Sequence, residues 1–339
     1  MFARERLLQL TESLNGRRVL VYGDIVADRF IYGTPKRISR EAPVLILRQY
    51  RDDILPGGGG NAIANIASLG GEPVPVSVIG SDAMGTAVIS RLEQEGVRCD
   101  HVLRLERYHT PTKVRVLGGM PHSSRQQIVR YDIEDHVELT GEERDALARA
   151  LRDGFESCAG ALISDYGYGT VIPGLAVHLS GFSRFKPVTL DSRYQLLRYP
   201  DVTAATPNEE EAAAAAGVTL HGGDEDENLR FVGESIRSGL DAEAVLVTRG
   251  SRGMALFERD RDFPLLIPVH GTDQIADVTG AGDTVIAAFT LALCGGASFA
   301  EAAKLANYAG GIVVMKMGTA TVSNNELRRA IERDESLES

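Results

Sequence analysis

Asp277-Val278-Thr279-Gly280-Ala281-Gly282-Asp283-Thr284 runs directly into the apolar segment VIAAFTLAL. Two glycines, an alanine and a carboxylate occupy the last positions before what reads as a buried helix. A helix N-terminus presents unpaired backbone N–H groups and the positive end of the helix dipole. Residues with little or no side chain let an anion come close to those groups. Asp283 falls in the first helical turn, on the side of that anion hole. On this stretch alone two readings stay open. One is a glycine turn with an acid-assisted helix start; the other is a cradle for phosphate with a base beside it.

Apolar runs recur on either side of this stretch. Arg17-Arg-Val-Leu-Val-Tyr-Gly-Asp24 reads as a buried strand closing on a carboxylate, and Val74 to Gly80 as a second. Residues 159–164, 187–190 and 244–248 repeat the pattern. Helical patterns lie between them: MGTAVISRLEQEGV, Asn208 to Ala216 (with its five-alanine tract) and Glu225 to Ser238. Strands alternating with helices predict an α/β chain whose mostly parallel sheet is covered on both faces. Residues 30–50 and 110–132 break that rhythm with VLILRQY, TKVRVL and QQIVRYDIE. These alternate as strands with one covered and one wet face. They predict a small β-sheet inserted into one domain that spans residues 1–339, with no linker and no internal repeat.

The bulk composition narrows the partners. A net charge of −11 and a pI near 5.2 disfavour a general nucleic-acid or anionic-membrane binder. Any anionic ligand must therefore be held by a local arrangement. Cys99, Cys158 and Cys294 are far apart in sequence and read as reduced packing thiols of a cytoplasmic protein. The opening MFARERLLQLTESLNG is a charged helix pattern without a signal-peptide core, and no apolar run reaches membrane-spanning length. There is no HExxH, so a protein-ligated zinc site is not expected.

Four segments carry chemistry. At Gly280 to Asp283, a nest of N–H groups with a carboxylate suits phosphoryl transfer from ATP, where charge builds on the moving group while a hydroxyl loses its proton. Pro56-Gly57-Gly58-Gly59-Gly60-Asn61, with Asp24, reads as a polyol site, since Asp accepts from hydroxyls and Asn both donates and accepts. Its bland alternative is a flexible hairpin end. Asn208 and Glu211 share one face of a first helical turn, which fits a capping pair better than a magnesium site. Val247 to Met254, with Gly250 and Gly253, reads equally as a nucleotide-passing turn or a plain β-turn.

In this order along the chain, these segments make the sequence resemble the PfkB (ribokinase-like) carbohydrate kinase family over essentially its whole length. Asp277 to Asp283 is similar to that family's C-terminal signature, residues 57–61 to its N-terminal one, and Asn208-x-x-Glu211 to its magnesium-linked motif. The resemblance implies an α/β, ribokinase-like three-layer sandwich, with the inserted β-sheet as a lid over the sugar. It implies Asp283 as the base, with the amides of Gly280, Ala281 and Gly282 as the anion hole. Asp24, Gly57, Gly58 and Asn61 would hold the sugar. Asn208, Thr248, Gly250, Gly253 and Asn307 would line Mg·ATP. Glu211 would bind Mg²⁺ through water, and Asp277 and Thr279 a monovalent cation such as K⁺. Lids of this kind pair between subunits, so a homodimer is implied.

Within the family, GDIVADRFIYG (23–33), RISREAPV (37–44), RQQIVRYDIED (125–135) and KMGTATVS (316–323) resemble the bacterial D-glycero-β-D-manno-heptose 7-phosphate kinases. The implied reaction converts the 7-phosphate to the 1,7-bisphosphate. Arg130 lies in their pattern as a substrate residue, and Arg29, Lys36 and Arg37 are further candidate partners for the 7-phosphate. Tyr168 stands where those kinases typically carry lysine, Ser192-Arg193 where they read Pro-Lys, and Arg40 where proline is usual. Arg193 would compensate in part for the missing lysine charge. The nucleotidyltransferase half fused to some heptose enzymes is not expected in this chain. The alternatives are a family kinase for another sugar (ribose, fructose or a ketose phosphate) and a non-catalytic sugar or nucleotide sensor. A dinucleotide oxidoreductase is excluded, because GDIVADRF replaces the GxGxxG it would need after the first strand.

Overall fold

Strands buried on both faces must be apolar at every position, and β1 (Arg18–Gly23) meets that demand from its second residue onward. Val19 and Val21 enter one core, and Leu20 and Tyr22 the core on the other side of the sheet. The computed structural model describes residues 2–119, 126–218, 225–271 and 276–338, without the side chains of residues 225 and 226. Helix α1 (Arg4–Ser13) precedes β1, and the chain then leaves the α/β layers for two long strands, β2 (Ile25–Ile38) and β3 (Leu45–Gly58). It returns through α2 (Gly59–Ser68), β4 (Glu72–Gly80), α3 (Ala83–Gln94) and β5 (His101–Leu105). A second excursion forms β6 (Thr112–Gly118) and β7 (Gln126–Ile133).

The remainder alternates: α4 (Gly141–Glu156), β8 (Gly160–Asp165), α5 (Pro173–Ser180), β9 (Val188–Ser192), β10 (Ala204–Ala205), α6 (Glu209–Ala216) and α7 (Glu225–Leu240). It continues with β11 (Ala244–Thr248), β12 (Met254–Glu258), β13 (Leu265–Ile267), α8 (Ala281–Cys294), α9 (Phe299–Val313) and α10 (Asn324–Arg333). The large sheet runs β13-β12-β11-β10-β9-β8-β1-β4-β5. Its pairings are parallel except those that β12 makes with β11 and β13. One core packs α1, α2, α3, α8, α9 and α10 on one face, and the other packs α4 to α7 on the opposite face. This is the three-layer sandwich expected from the sequence. Ile286 and Phe289 of α8 are fully buried, each contributing about 2–3 kcal/mol of burial. The alanine tract is helical and ends at Gly217, whose φ of 67° supplies the left-handed cap.

The second sheet, ordered β3-β2-β6-β7, is the small inserted β-sheet that the sequence led us to expect as a lid. Its extent corrects the expected 30–50 and 110–132. The strands run from Ile25 to Gly58 and from Thr112 to Ile133, with residues 120–125 outside the described part. The lid thus begins at the end of β1, so residues 25–29 belong to it and not to a loop below it. The β2–β6 pairing is parallel and aligns Asp28 with Lys113 and Phe30 with Arg115. On the opposite lid face, Val129, Tyr131 and Ile133 are about half exposed. No helix among the described residues is long and apolar enough to cross a membrane, and all three cysteines are free thiols.

Candidate active site

Parallel strands of an open α/β sheet converge their carboxyl ends on one edge, where ligands bind. Here Asp165 closes β8, Asp191 lies near the end of β9, Thr206 follows β10 and Thr248 closes β11. All four line a cleft of roughly 450 Å³, walled by the N-terminus of α8 and roofed by β2, β6 and β7 of the lid.

The opening stretch forms that wall. Gly280 adopts φ 77°, and a Cβ there would lie 2.4 Å from the side-chain nitrogen of Asn61. Only glycine fits both demands. Ala281 N–H donates to the Val278 carbonyl at 3.2 Å, which corrects the expectation that its amide serves the anion hole. The N–H groups of Gly280, Gly282 and Asp283 have no partner among the described residues. Gly282 has open space where a side chain would project.

Asp283 is buried, and its two oxygens are held separately. The Tyr166 hydroxyl donates to Oδ1 at 2.7 Å and Asn61 Nδ2 to Oδ2 at 3.1 Å. Burial pushes the carboxyl up to about 6; the Tyr166 and Asn61 hydrogen bonds oppose the rise, Asp28 adds to it and Lys113 opposes it. A carboxyl so placed can exchange a proton near neutral pH.

The expected sugar contacts are rearranged. Asp24 is buried and does not line the cleft. Its oxygens accept the backbone N–H of Tyr166 (2.8 Å), Tyr168 (3.2 Å) and Thr170 (3.1 Å). Burial raises its carboxyl to about 6. The carboxylate that faces the cleft from β2 is Asp28, four residues on, paired with Arg115 and accepting from Thr319 Oγ1 at 2.9 Å. Gly57 sits behind it: a Cβ there would lie 2.3 Å from Asp28 Oδ2. Asn61 also sits behind the cleft, its side-chain nitrogen divided between Asp283 and the Gly280 carbonyl. The four glycines end β3 and begin α2, and Gly58 alone of them lines the cleft.

Arg130 lines the cleft, where it pairs with Asp132. Arg29 does not: strand alternation turns it to the face opposite Asp28, where it pairs with Asp52 at 2.6 Å. Lys36 and Arg37 are exposed near the far end of β2. The cleft cations missed from sequence are Lys113 and Arg115, on alternate positions of β6; the alternation in TKVRVL carried that signal. Arg193 joins them. The Lys113 ammonium lies 5.0 Å and the Arg193 guanidinium 5.8 Å from the centre of the Tyr166 ring. Neither cation has a salt-bridge partner among the described residues. Tyr168 is turned away from the cleft, its hydroxyl 3.5 Å from Glu134.

Toward β11, Asn208, Glu211 and Thr248 line the cleft with Asp191 and Thr206. Asn208 and Glu211 make the expected capping box, with Glu211 N–H donating to Asn208 Oδ1 at 2.9 Å and Asn208 N–H to Glu211 Oε2 at 3.0 Å. Three other expected nucleotide contacts are absent from the cleft walls among the described residues. Gly250 sits in open space, and a Cβ on Gly253 would lie 2.1 Å from the Ile267 carbonyl oxygen. Asn307 is buried and donates to the Pro268 carbonyl at 2.8 Å. Thr279 lines the cleft. Asp277 stands behind it, accepting N–H of Thr279 (2.9 Å) and Gly318 (3.0 Å).

The donor set fits a hydrated divalent cation more closely than a protein-caged one. No group of three or more metal-ligating side chains occurs among the described residues. Burial raises the Asp191 carboxyl well above the usual range, and Glu211 and Asp283 add to that rise. Burial also raises Glu211. The buried Thr206 Oγ1 has no partner among the described residues. Carboxylates crowded in this way gain from a Mg²⁺ that keeps most of its waters.

A family model described as pfkB family carbohydrate kinase matches residues 17–163 and 174–326. The bifunctional protein HldE of Geobacter sulfurreducens is 36% identical over 91% of this chain and 61% of its own length. Its counterpart from Histophilus somni is 37% identical over 96% of this chain and 66% of its own. The chain thus spans about three-fifths to two-thirds of the curated relatives it matches. Among solved structures, phosphofructokinase-2 from Escherichia coli in complex with substrates and products superimposes with a TM-score of 0.74 at 21% identity, covering 93% of this chain and 98% of that one. Arabidopsis thaliana ribokinase complexed with ribose and ATP gives 0.70 at 20%, covering 94% and 100%.

Proposed function

Because the chain belongs to the pfkB family of carbohydrate kinases, we propose that its sugar substrate is a heptose 7-phosphate, phosphorylated at the C1 hydroxyl to give the 1,7-bisphosphate. The chain is an ATP-dependent carbohydrate kinase; the identity of the sugar is what the cleft must argue. One observation carries the choice of a phosphorylated sugar. Lys113 and Arg193, without salt-bridge partners among the described residues, flank the tyrosine that holds Asp283. Burial disfavours the charged form of Lys113, with Asp28 and Asp283 opposing, so an anion at this end of the cleft would stabilise its ammonium, and the exposed Arg193 is open to the same anion. With Arg115 and Arg130 nearby, they supply the basic contacts that lysine at position 168 would otherwise give. The similarity to HldE proteins supports the same choice.

Asp283 takes the proton of the acceptor hydroxyl as that oxygen attacks phosphorus. The free N–H groups of Gly280, Gly282 and Asp283 hold the charge that grows on the transferring phosphoryl. Asp28 accepts hydrogen bonds from sugar hydroxyls. Asp191, Glu211 and Thr206 would hold Mg²⁺ through its waters, and Asn208 and Thr248 would lie along the nucleotide. Bound Mg²⁺ supplies charge neutralisation between the nucleotide phosphates. Asp277 and Thr279 are the proposed neighbours of a monovalent cation, K⁺. The lid is proposed to close over bound sugar and exclude water. The half-exposed Val129, Tyr131 and Ile133 would pair two lids in a homodimer, and light scattering at monomer mass would contradict that pairing. The regiochemistry is tested by ³¹P NMR of the product, which should carry one anomeric phosphate ester and one primary ester.

A further inference from the structure

We propose that Tyr166 is a positioning residue for the base: its hydroxyl holds Oδ1 of Asp283 and aims the carboxylate, while Asp24 fixes the loop that carries it. The inference rests on the reading of Asp283 as the base. Three observations carry it. The 2.7 Å hydrogen bond from Tyr166 fixes one oxygen, and Asn61 fixes the other from α2, so the carboxylate plane is held from two sides. The loop after β8 is itself fixed, because the two Asp24 oxygens accept three of its N–H groups and Asp165 Oδ1 accepts Gly167 N–H at 2.9 Å. The Tyr166 ring also has Lys113 at 5.0 Å and Arg193 at 5.8 Å from its centre, so the cations proposed for the substrate phosphate and the donor to the base meet at one side chain.

The proton balance follows from this geometry. The acceptor O–H proton passes to Asp283, the O–P bond forms, and the bond from γ-phosphorus to the leaving ADP oxygen breaks. Burial and Asp283 hold the Tyr166 phenol well above its usual range, so it stays protonated and remains a donor throughout. A donor to a carboxylate favours the ionised form. It therefore keeps Asp283 available as a base against its burial and against the charge of Asp28 on β2, with Asn61 on α2 and Lys113 on β6 assisting; Asp191 on β9 and Arg193 also line the same cleft.

The test is kcat/KM against pH for the wild-type chain and for Tyr166→Phe. The wild-type acid limb is expected near the Asp283 value of about 6. Loss of the hydroxyl should move it up by about one unit, with KM for ATP little changed. Replacing Tyr166 with 3-fluorotyrosine, a stronger donor of nearly the same shape, should move the limb down and guards against misfolding of the phenylalanine variant. The Asp283 carboxyl ¹³C resonance, followed over the same range, reads the same midpoint without turnover. Midpoints unmoved in both variants would overturn the proposal, whatever happens to KM. If the wild type turns over with no limb that depends on Asp283, the reading of the base fails instead, and the ¹³C midpoint still decides whether Tyr166 tunes that carboxyl.

Discussion

Asn61 and Asp283 meet at 3.1 Å although 222 residues separate them. The same Asn61 nitrogen lies 3.1 Å from the Gly280 carbonyl. One side-chain amide at the start of α2 therefore holds both the turn that opens the proposed anion hole and the carboxylate beside it. Displacing either helix end would misplace the proposed base.

Asp283→Asn should lower kcat by about 10²–10⁴-fold, as loss of a general base does. Retention of most of the rate would remove Asp283 from the chemistry. Stability should respond in the opposite direction. Burial raises this carboxyl from 3.8 to about 6, so the folded chain binds its proton more tightly than the unfolded one. Its contribution to stability is present below pH 4 and lost as pH rises through about 6. Asparagine carries no such titration, so the variant's Tm should exceed the wild type's at pH 7.5, with the gap narrowing toward pH 4. A gap independent of pH would contradict the burial account.

Gly282→Val should leave the fold intact, because no heavy atom lies within 4 Å of an added Cβ. The extra carbons would instead occupy the space over the free N–H groups. A fall in kcat/KM of about 10²-fold or more is expected, the cost of losing oxyanion donors. Near-wild-type turnover would show that no phosphoryl group passes there.

Lys113→Met and Arg193→Met should each raise KM for a sugar phosphate by about 10–100-fold, the worth of a charged hydrogen bond. KM for the corresponding unphosphorylated sugar should hardly move. Equal effects on both substrates would mean that these cations serve the fold or the nucleotide.

Glu211→Gln preserves the capping geometry, since glutamine serves at that position too, but removes a charge from the cleft. Half-maximal Mg²⁺ should rise by about 10–100-fold, as for a ligand acting through water, with Tm nearly unchanged. An unaltered Mg²⁺ dependence would confine Glu211 to its cap.

Much of the architecture was legible because it is periodic. RVLVYG is apolar at every position after the arginine, which only a doubly covered strand requires, and the glycines before Asp283 mark the start of α8. The site was less legible where its geometry depends on distant pairing. Asp24 and Asp28 are both carboxylates beside one strand end. That Asp24 turns toward residues 166–170 while Asp28 faces the cleft follows from where β1 stops and the lid begins. Lys113 and Arg115 alternate visibly in the sequence, but which face they present is set by pairing with β2, about 85 residues earlier. The glycines at 57–60 looked like a ligand loop because flexibility and close packing ask for the same residue. At Gly57 the neighbour is the Asp28 side chain.

The most direct measurement is ADP release from Mg·ATP with heptose 7-phosphate, with unphosphorylated heptose, and with Asp283→Asn as the control. Rapid release is expected with the phosphorylated sugar, kcat/KM at least about 100-fold lower without its phosphate, and near-silence in the variant. Equal turnover of the two sugars, or undiminished release by Asp283→Asn, would contradict the proposed function.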